Sequence, residues 1–403
     1  MSHTDKIAQQ ITTLLVHRPL RHPGAWWKSA VIADIPSFLG SGELSWITNN
    51  VHSFARAGCN AIVFRPAKLD FISYPLALKQ LIQAANRSGL KTIIRLSGLT
   101  ENPCQPFTSS FVGYEEDPQR TLQRAKVALR LGATGIDLGL LPQIPCQSSP
   151  SVLDSKYLND EVSTHVRALH RICYEQTSSS FISAFALGSE KENFDKYLDN
   201  YLYHHLRDET LLETPWEAKA IRERIERALE RRDELGHVCA WRASSSITEL
   251  KQAPHPGAWF EENSTVRRAG LTLLSLALPG AVYIRANRLV ELPWLKNEKE
   301  YSQISSHERQ AAGNRLIQAQ RLRANRQIGI GSLAWIGGLE WASPDLFVQV
   351  GANTMTVLNT TENEVLVPTE MKVLLTSHTG ITHDSADANL LLPGECGWFA
   401  FNS

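Results

Sequence analysis

Eight short, nearly uninterrupted apolar runs, each followed by a stretch of helical periodicity, constrain this chain more than any other feature. The runs are Ala30–Phe38, Asn60–Pro66, Thr92–Ser97, Gly135–Leu141, Phe181–Gly188, a weaker one at Leu206–Leu212, His237–Ser244 and Ala281–Asn287. Continuous rather than alternating hydrophobicity marks strands covered on both faces, as in parallel sheets. The segments Glu43–Ala57, Tyr74–Ser88, Pro118–Leu131, Asn159–Gln176, Glu190–Leu202, Trp216–Leu235, Asn263–Ala277 and Ser306–Asn325 read as amphipathic helices. Thr214-Pro215-Trp216-Glu217 reads as a helix start, with Thr as cap and Pro at the first position. Ala218, Ile221, Ile225 and Leu229 form its apolar stripe, and the charges between them, Arg222 through Arg232, read as a solvated face. Eight such strand–helix units predict a (β/α)8 TIM barrel.

After Asn325 the period changes. Ser332–Ile336, Leu346–Val350, Thr354–Asn359, Glu364–Val367, Lys372–Thr376, Asn389–Leu392 and Gly397–Phe401 are short strands separated by Gly, Asn, Asp and Pro. They predict a small antiparallel β-sandwich domain over residues 328–403 behind a barrel over residues 1–327. Gly329-Ile330-Gly331 has no helix after it, so it reads as the start of a strand and not as a nucleotide loop.

The bulk composition of the 403 residues narrows the partners. Apolar residues make up 43% and charged residues 20%, enough to bury a large core. Lysine plus arginine equals aspartate plus glutamate, 41 each, so nothing electrostatic draws nucleic acid or an anionic membrane. The most apolar stretch, Ala269–Ala286, is interrupted by Pro279-Gly280 and is no spanning helix. Met1–Arg21 lacks the apolar core and cleavage site of a secretory signal. Six scattered cysteines, Cys59, Cys104, Cys146, Cys173, Cys239 and Cys396, form no C-x-x-C pair. They read as reduced thiols, so a cytoplasmic location is expected, with no disulfide frame and no zinc site.

Several stretches, in order, resemble the α-amylase superfamily of glycoside hydrolases (glycoside hydrolase family 13), in particular bacterial α-glucosidases of the oligo-glucosidase type. Trp26-Trp27-Lys28-Ser29-Ala30-Val31 resembles the approach to the first strand, and Asn60-Ala61-Ile62-Val63-Phe64-Arg65-Pro66 the second strand. Gly89-Leu90-Lys91-Thr92-Ile93-Ile94 is similar to the run into the third, and Gly132-Ala133-Thr134-Gly135-Ile136-Asp137 to the approach to the nucleophile on the fourth. Leu211–Ala218 is similar to the turn after the sixth, and Leu273–Tyr283 to the segment entering the eighth. The resemblance implies a barrel followed by a β-sandwich and a site for α-glucosides.

The residues that would do the chemistry depart from that pattern. Retaining glycosidases need a carboxylate nucleophile and a carboxylic acid about 5–5.5 Å apart, carried on strand carboxyl ends. The family's fourth strand reads Gly-Phe-Arg-x-Asp; here Gly135, Ile136, Asp137, Leu138 and Gly139 match it, so the nucleophile position holds Gly139. Ser189 stands at the acid position, with Glu190 one residue beyond it. The seventh strand should end Ser-Asn-His-Asp but runs Ser244-Ser245-Ser246-Ile247, leaving Ile247 where the third carboxylate would be. Only Ala67–Ser73 and Leu99–Asp117 are available where the family builds its substrate walls. The resemblance therefore implies a catalytically inactive protein that acts through binding: a protein partner (an active relative, or itself) or a small sugar or sugar phosphate. The alternative is an active α-glucosidase or transglycosidase using Asp137 and Glu190 as relocated carboxylates.

A second departure is a change of sign. Where the related enzymes place an Asp on the third strand and an Arg on the fourth, this chain has Arg95 and Asp137. A reversed ion pair between them is expected. Arg65, Arg95, Arg242 and Arg285 all fall at or near strand carboxyl ends. They form a candidate anion-binding rim, or else pair with Asp137, Glu190 and loop carboxylates. Trp26 and Trp27 precede the first strand, away from the expected mouth, and read as core packing and not sugar stacking. His204-His205 read as a solvated turn. His378, His383 and Asp384 read as a surface loop and not a metal site. No cofactor motif and no Gly-x-Ser-x-Gly elbow is present.

Overall fold

The computed structural model describes residues 11–20, 24–67, 75–96, 118–140, 152–176, 181–185, 194, 197–198, 202–207, 210–242, 265–295, 306–378 and 388–401. Its centre is a parallel sheet of eight strands: β2 (Val31–Leu39), β3 (Ala61–Pro66), β4 (Lys91–Arg95), β5 (Gly135–Leu140), β6 (Phe181–Phe185), β7 (His205–Arg207), β8 (Ala240–Arg242) and β9 (Ala281–Arg285). The hydrogen-bonded order is β7-β6-β5-β4-β3-β2-β9-β8. The end strands β7 and β8 lie beside each other, so the sheet curls into a nearly closed barrel.

Around it pack α1 (Ser41–Arg56), α2 (Pro75–Arg87), α3 (Pro118–Arg130), α4 (Val152–Gln176), the single turn α5 (Thr210–Glu213), α6 (Ala218–Leu235), α7 (Thr265–Leu276) and α8 (Ser306–Asn325). Strand alternation sorts the apolar residues into two cores. Ala33, Ile62, Ile94, Ile136 and Ile182 face outward onto the helices. Ile32, Val63, Ile93, Phe181 and Tyr283 fill the interior, and half-buried Trp26 and Trp27 pack against that interior cluster, the core role expected of them.

Three local readings need correction. The sixth barrel strand is His205–Arg207, and Leu211-Leu212 lie in α5. Residue 205 is no solvated turn: its side chain is fully buried, and only His204 is half-buried. Helix α6 begins at Ala218 with Glu217 as its cap. The hydroxyl of Thr214 is spent on the carbonyl of Thr210, four residues back, and so caps α5 and not α6. The helix Glu190–Leu202 lies largely outside the described residues.

The carboxyl-terminal strands are β10 (Leu333–Gly337), β11 (Phe347–Gly351), β12 (Thr354–Leu358), β13 (Val365–Pro368), β14 (Val373–Thr376), β15 (Ala388–Leu391) and β16 (Cys396–Ala400). They form an antiparallel sheet facing the two-stranded β13–β15 pair. The sheet also takes in β1 (Thr12–His17), antiparallel to β10, with Thr12 opposite Gly337. The amino-terminal segment thus supplies an edge strand to the β domain. Residues 328–330 form a 3-10 turn before β10.

The two parts share one core, in which Trp335, Phe347 and Trp398 join the outer barrel cluster. Helix α7 approaches the β domain so closely that a Cβ at Gly270 would stand 2.2 Å from the carbonyl oxygen of Gly394. Buried Arg323 on α8 donates to the carbonyls of Leu276, Leu278 and Gly280, pinning the end of α7 and the turn into β9. Burial pushes its pKa down to about 9. Cys59, Cys173, Cys239 and Cys396 are buried free thiols. Among the described residues no helix is long and apolar enough to cross a membrane.

Candidate functional site

The carboxyl ends of the strands carry the charged side chains, because the alternation that aims Ile32, Val63, Ile93, Ala240 and Tyr283 into the barrel also aims the residues two places further on. These are Asp34 on β2, Arg65 on β3, Arg95 on β4, Arg242 on β8 and Arg285 on β9. By the same register Asp137 follows Gly135 on β5, and Arg207 follows His205 on β7.

Arg95 and Asp137 stand directly opposite each other in the β4–β5 ladder. The expected pair is formed: Arg95 Nε donates to Asp137 Oδ2 at 2.7 Å. Three further groups converge on the other oxygen. Arg207 Nη1 donates to Oδ1 at 2.8 Å, Ser183 Oγ at 3.1 Å and the Gly139 backbone N–H at 3.2 Å. Arg95 Nη2 also donates to Asp34 Oδ1 at 2.9 Å, and Arg242 Nη2 lies 3.4 Å from Asp34 Oδ2. Among the described residues the result is a buried network of three guanidiniums and two carboxylates drawn from five strands.

Its electrostatics follow from that geometry. Burial alone would push the Asp137 carboxyl up, but Arg207 and Arg95 outweigh it and hold the group below the usual carboxylate range. Asp34 behaves alike: burial opposes ionisation, and Arg95, Arg242 and Arg207 overcome it. Burial disfavours the charged form of Arg95, yet Asp34 and Asp137 raise its pKa. Both acids are therefore ionised beside their arginines.

Beneath this layer lies a neutral one. His205 Nε2 is 2.9 Å from the carbonyl oxygen of Trp27, which can only accept, so this nitrogen carries the proton. Its Nδ1 then accepts from the Tyr283 hydroxyl at 2.9 Å. Burial pushes the His205 pKa down to about 3. The Arg207 guanidinium lies over the Tyr283 ring, 5.1 Å from its centroid, joining the two layers.

The remaining rim residues take these places. Arg65 lies over the Phe38 ring at 4.2 Å, and Arg242 over Phe185 at 5.4 Å. Arg285 is buried, in register with Asp34 across the β2–β9 ladder. Gly139 has φ +65°, in the left-handed region, within an irregularity where the β5–β6 ladder skips from Asp137 to Leu140. The chain at Gly139 is thus bent so that its N–H reaches Asp137. Ser189, Glu190, Ile247, His383 and Asp384 lie outside the described residues. Among those described, no cluster of His, Cys, Asp or Glu has metal-binding geometry.

Sequence reasoning missed Asp34, Ser183, Arg207 and Tyr283. One signal was available for Asp34, a lone acid inside the apolar run Ala30–Phe38. Arg207 gave none, because it sits inside the weak run Leu206–Leu212 with Asp208 and Glu209 beside it and nothing to mark its side chain as inward.

A nearly closed parallel barrel with an antiparallel β domain packed on it is the fold of several solved α-amylase-type structures. Solved structures of that class share the fold. An α-amylase from H. orenii superposes with a TM-score of 0.60 at 12% identity, covering 93% of this chain and 100% of that one. A debranching enzyme from Nostoc punctiforme gives 0.60 at 14% identity over 93% of this chain and 98% of its own. Trehalulose synthase from Pseudomonas mesoacidophila gives 0.58 at 11% identity, over 94% and 100%. No protein-family model matches the sequence, and no curated protein matches it in sequence. The likeness to the α-amylase superfamily expected from the ordered sequence stretches therefore holds at the level of fold.

Proposed function

We propose that this chain is a catalytically silent relative of the α-glucoside-processing enzymes whose fold it shares, acting by binding and not by cleaving glycosidic bonds. One observation carries the reading: the Asp137 carboxylate receives two arginines, a serine hydroxyl and a backbone N–H, and is fully buried. A nucleophile needs an oxygen lone pair open to the anomeric carbon, and a general acid needs a raised pKa so that it holds a proton near neutrality. Asp137 offers neither; Asp34 is buried beside Arg95 and Arg242, and its lowered pKa leaves it no proton to give as a general acid. At the position that the resemblance gives to the nucleophile, Gly139 contributes only its backbone.

The work left to such a barrel is recognition, of a partner protein (an active relative or a second copy) or of a small carbohydrate metabolite at the mouth. Four buried free thiols fit a reducing, cytoplasmic setting. The test is incubation of the pure protein with maltose, trehalose and an aryl α-glucoside, followed by glucose assay. No release above the buffer blank is expected. Glucose release that disappears in Asp137→Asn or Glu190→Gln would overturn the reading in favour of an enzyme with relocated carboxylates.

A further inference from the structure

The six-stranded sheet of the β domain ends in two unlike edges, β1 and β14. The β14 edge is blocked. Helix α8 lies beside it, Gln318 Nε2 donates to the carbonyl oxygen of Leu374 at 3.3 Å, and its ladder to β16 is bulged between Val373 and Leu375. The β1 edge has no such cover among the described residues. Its inner side is laddered to β10 from Thr12 to His17, and no described strand pairs with its outer side.

This edge strand is firmly anchored. His17 Nδ1 lies 2.8 Å from Asp233 Oδ2 on α6, and the Leu20 N–H donates to the carbonyl oxygen of Ile330 at 3.0 Å. It also reaches past the layers that cover the sheet on either face. Leu14 stands opposite Trp335, which belongs to the barrel-side core; Leu15 stands opposite Ala334, which packs into the core shared with β13 and β15. Trp335 is buried and Ala334 half-buried, yet Ile11, Leu14 and Leu15 are 60%, 62% and 53% exposed. Apolar side chains thus flank an open backbone edge above and below.

Edge strands are usually shielded from pairing with another chain by charged side chains, proline or bulges. From Ile7 to Val16 the sequence holds no charged residue, no proline and no glycine, and the bulge of β1 comes only after Leu15. An identical strand laid antiparallel beside it sets Thr, Leu, Ile and Val against one another and opposes no like charges. The edge is therefore complementary to itself. A two-fold pairing uses it up in both copies, so the assembly closes at two. The blocked β14 keeps β1 of one copy from continuing head to tail onto the sheet of the next.

We propose that β1 is a homodimer interface, in which two copies join their six-stranded sheets edge to edge through antiparallel β1 strands. Ladder hydrogen bonds hold the two strands, and Leu14 and Leu15 of each copy cover the corresponding residues of the other on opposite faces. The inference gives a surface to the second-copy form of the binding role proposed above and rests on that form. One strand and its flanks make a small interface, so the dimer dissociates in the micromolar range.

The experiment is sedimentation velocity of the full chain across two decades of micromolar concentration. A reversible shift from monomer to dimer is the expected result. Leu14→Lys, which brings two ammonium groups into the joined edge, should raise the dissociation constant at least tenfold. Far-ultraviolet circular dichroism and melting temperature should stay unchanged, because Leu14 is largely exposed in the single chain. Leu366→Lys, at a leucine of similar exposure on β13, should leave the association as it is in the parent. A monomer at every concentration, a dimer that Leu14→Lys leaves intact, or growth beyond the dimer overturns the proposal. Glucose release in the parallel assay bears on the silent-enzyme reading, whereas sedimentation decides the β1 interface by itself.

Discussion

Arg207 reaches Asp137 across an entire intervening strand. The two residues lie on β7 and β5, yet their Nη1 and Oδ1 atoms are 2.8 Å apart. Ser183 on β6, in register with Asp137, makes this possible. Its small side chain lets the guanidinium pass and adds a hydrogen bond of 3.1 Å to the same oxygen. Asp137 is therefore the hub of the buried network at the mouth, and a structural role is the expectation that follows.

Asp137→Asn tests that role directly. It removes the charge facing Arg95 and Arg207 while both remain buried. Breaking one partner out of a buried network costs roughly 3–5 kcal/mol. Urea unfolding followed by tryptophan fluorescence should show a loss of that order. A loss under about 1 kcal/mol, the scale of one ordinary hydrogen bond, would mean that the carboxylate is not structural.

Exchanging the two signs should not rescue the pair. In an isolated ion pair the double variant Arg95→Asp with Asp137→Arg would recover most of what each single change loses. Here the new Asp would face Asp34, now 2.9 Å from Arg95, and the new Arg would face Arg207. Like charges then meet at both ends. The double variant is expected to be no more stable than the weaker single variant; recovery to within about 1 kcal/mol of the parent would show that the pair acts alone.

Acid should weaken the protein in two overlapping windows. His205 and His204 have pKa values pushed down by burial to about 3 and about 4. Below the ordinary histidine value near 6.5 the unfolded chain binds protons that the folded one refuses, so stability falls as pH drops from there toward those folded values. Asp137 and Asp34 are lowered as well, so their contribution is present above the ordinary carboxylate value near 3.9 and is lost as pH falls through the folded values. Melting temperature should decline steadily from pH 6.5 to 4.5. His205→Gln should flatten part of that slope, and an unchanged slope would exclude His205 as its source.

The strands that could be read from sequence are those with enough residues to show a pattern. Val31–Leu39 and Ala61–Pro66 announce themselves as continuous apolar runs, and the seven strands of the β domain are visible through their turns. His205–Arg207 has three residues, two of them polar or charged, and no periodicity can be drawn from three points. It is a strand because β6 offers it a ladder and the barrel interior accepts a neutral histidine below a paired arginine. Thr12–His17 is invisible for another reason: four of its six residues are exposed, so no buried face marks it. Of the site, the Arg95–Asp137 pair was legible because a family pattern supplied a sign to be reversed. The third guanidinium and the second carboxylate were not, because nothing in one dimension says that β2 and β7 face each other through the barrel.

Pairing of Thr12 with Gly337 also sets a schedule for the chain's birth. During synthesis the segment that becomes β1 must wait, its backbone N–H and C=O groups without a strand partner, until more than three hundred further residues have been made. Closing so long a loop is entropically slow to begin, though its added cost grows only with the logarithm of its length. The barrel can form first, but its tail has no sheet to lie against until β10 emerges. Fusions or truncations that end before β10 would leave that strand with an open hydrogen-bonding edge, whereas those removing the strand itself would bare the flank of β10 instead.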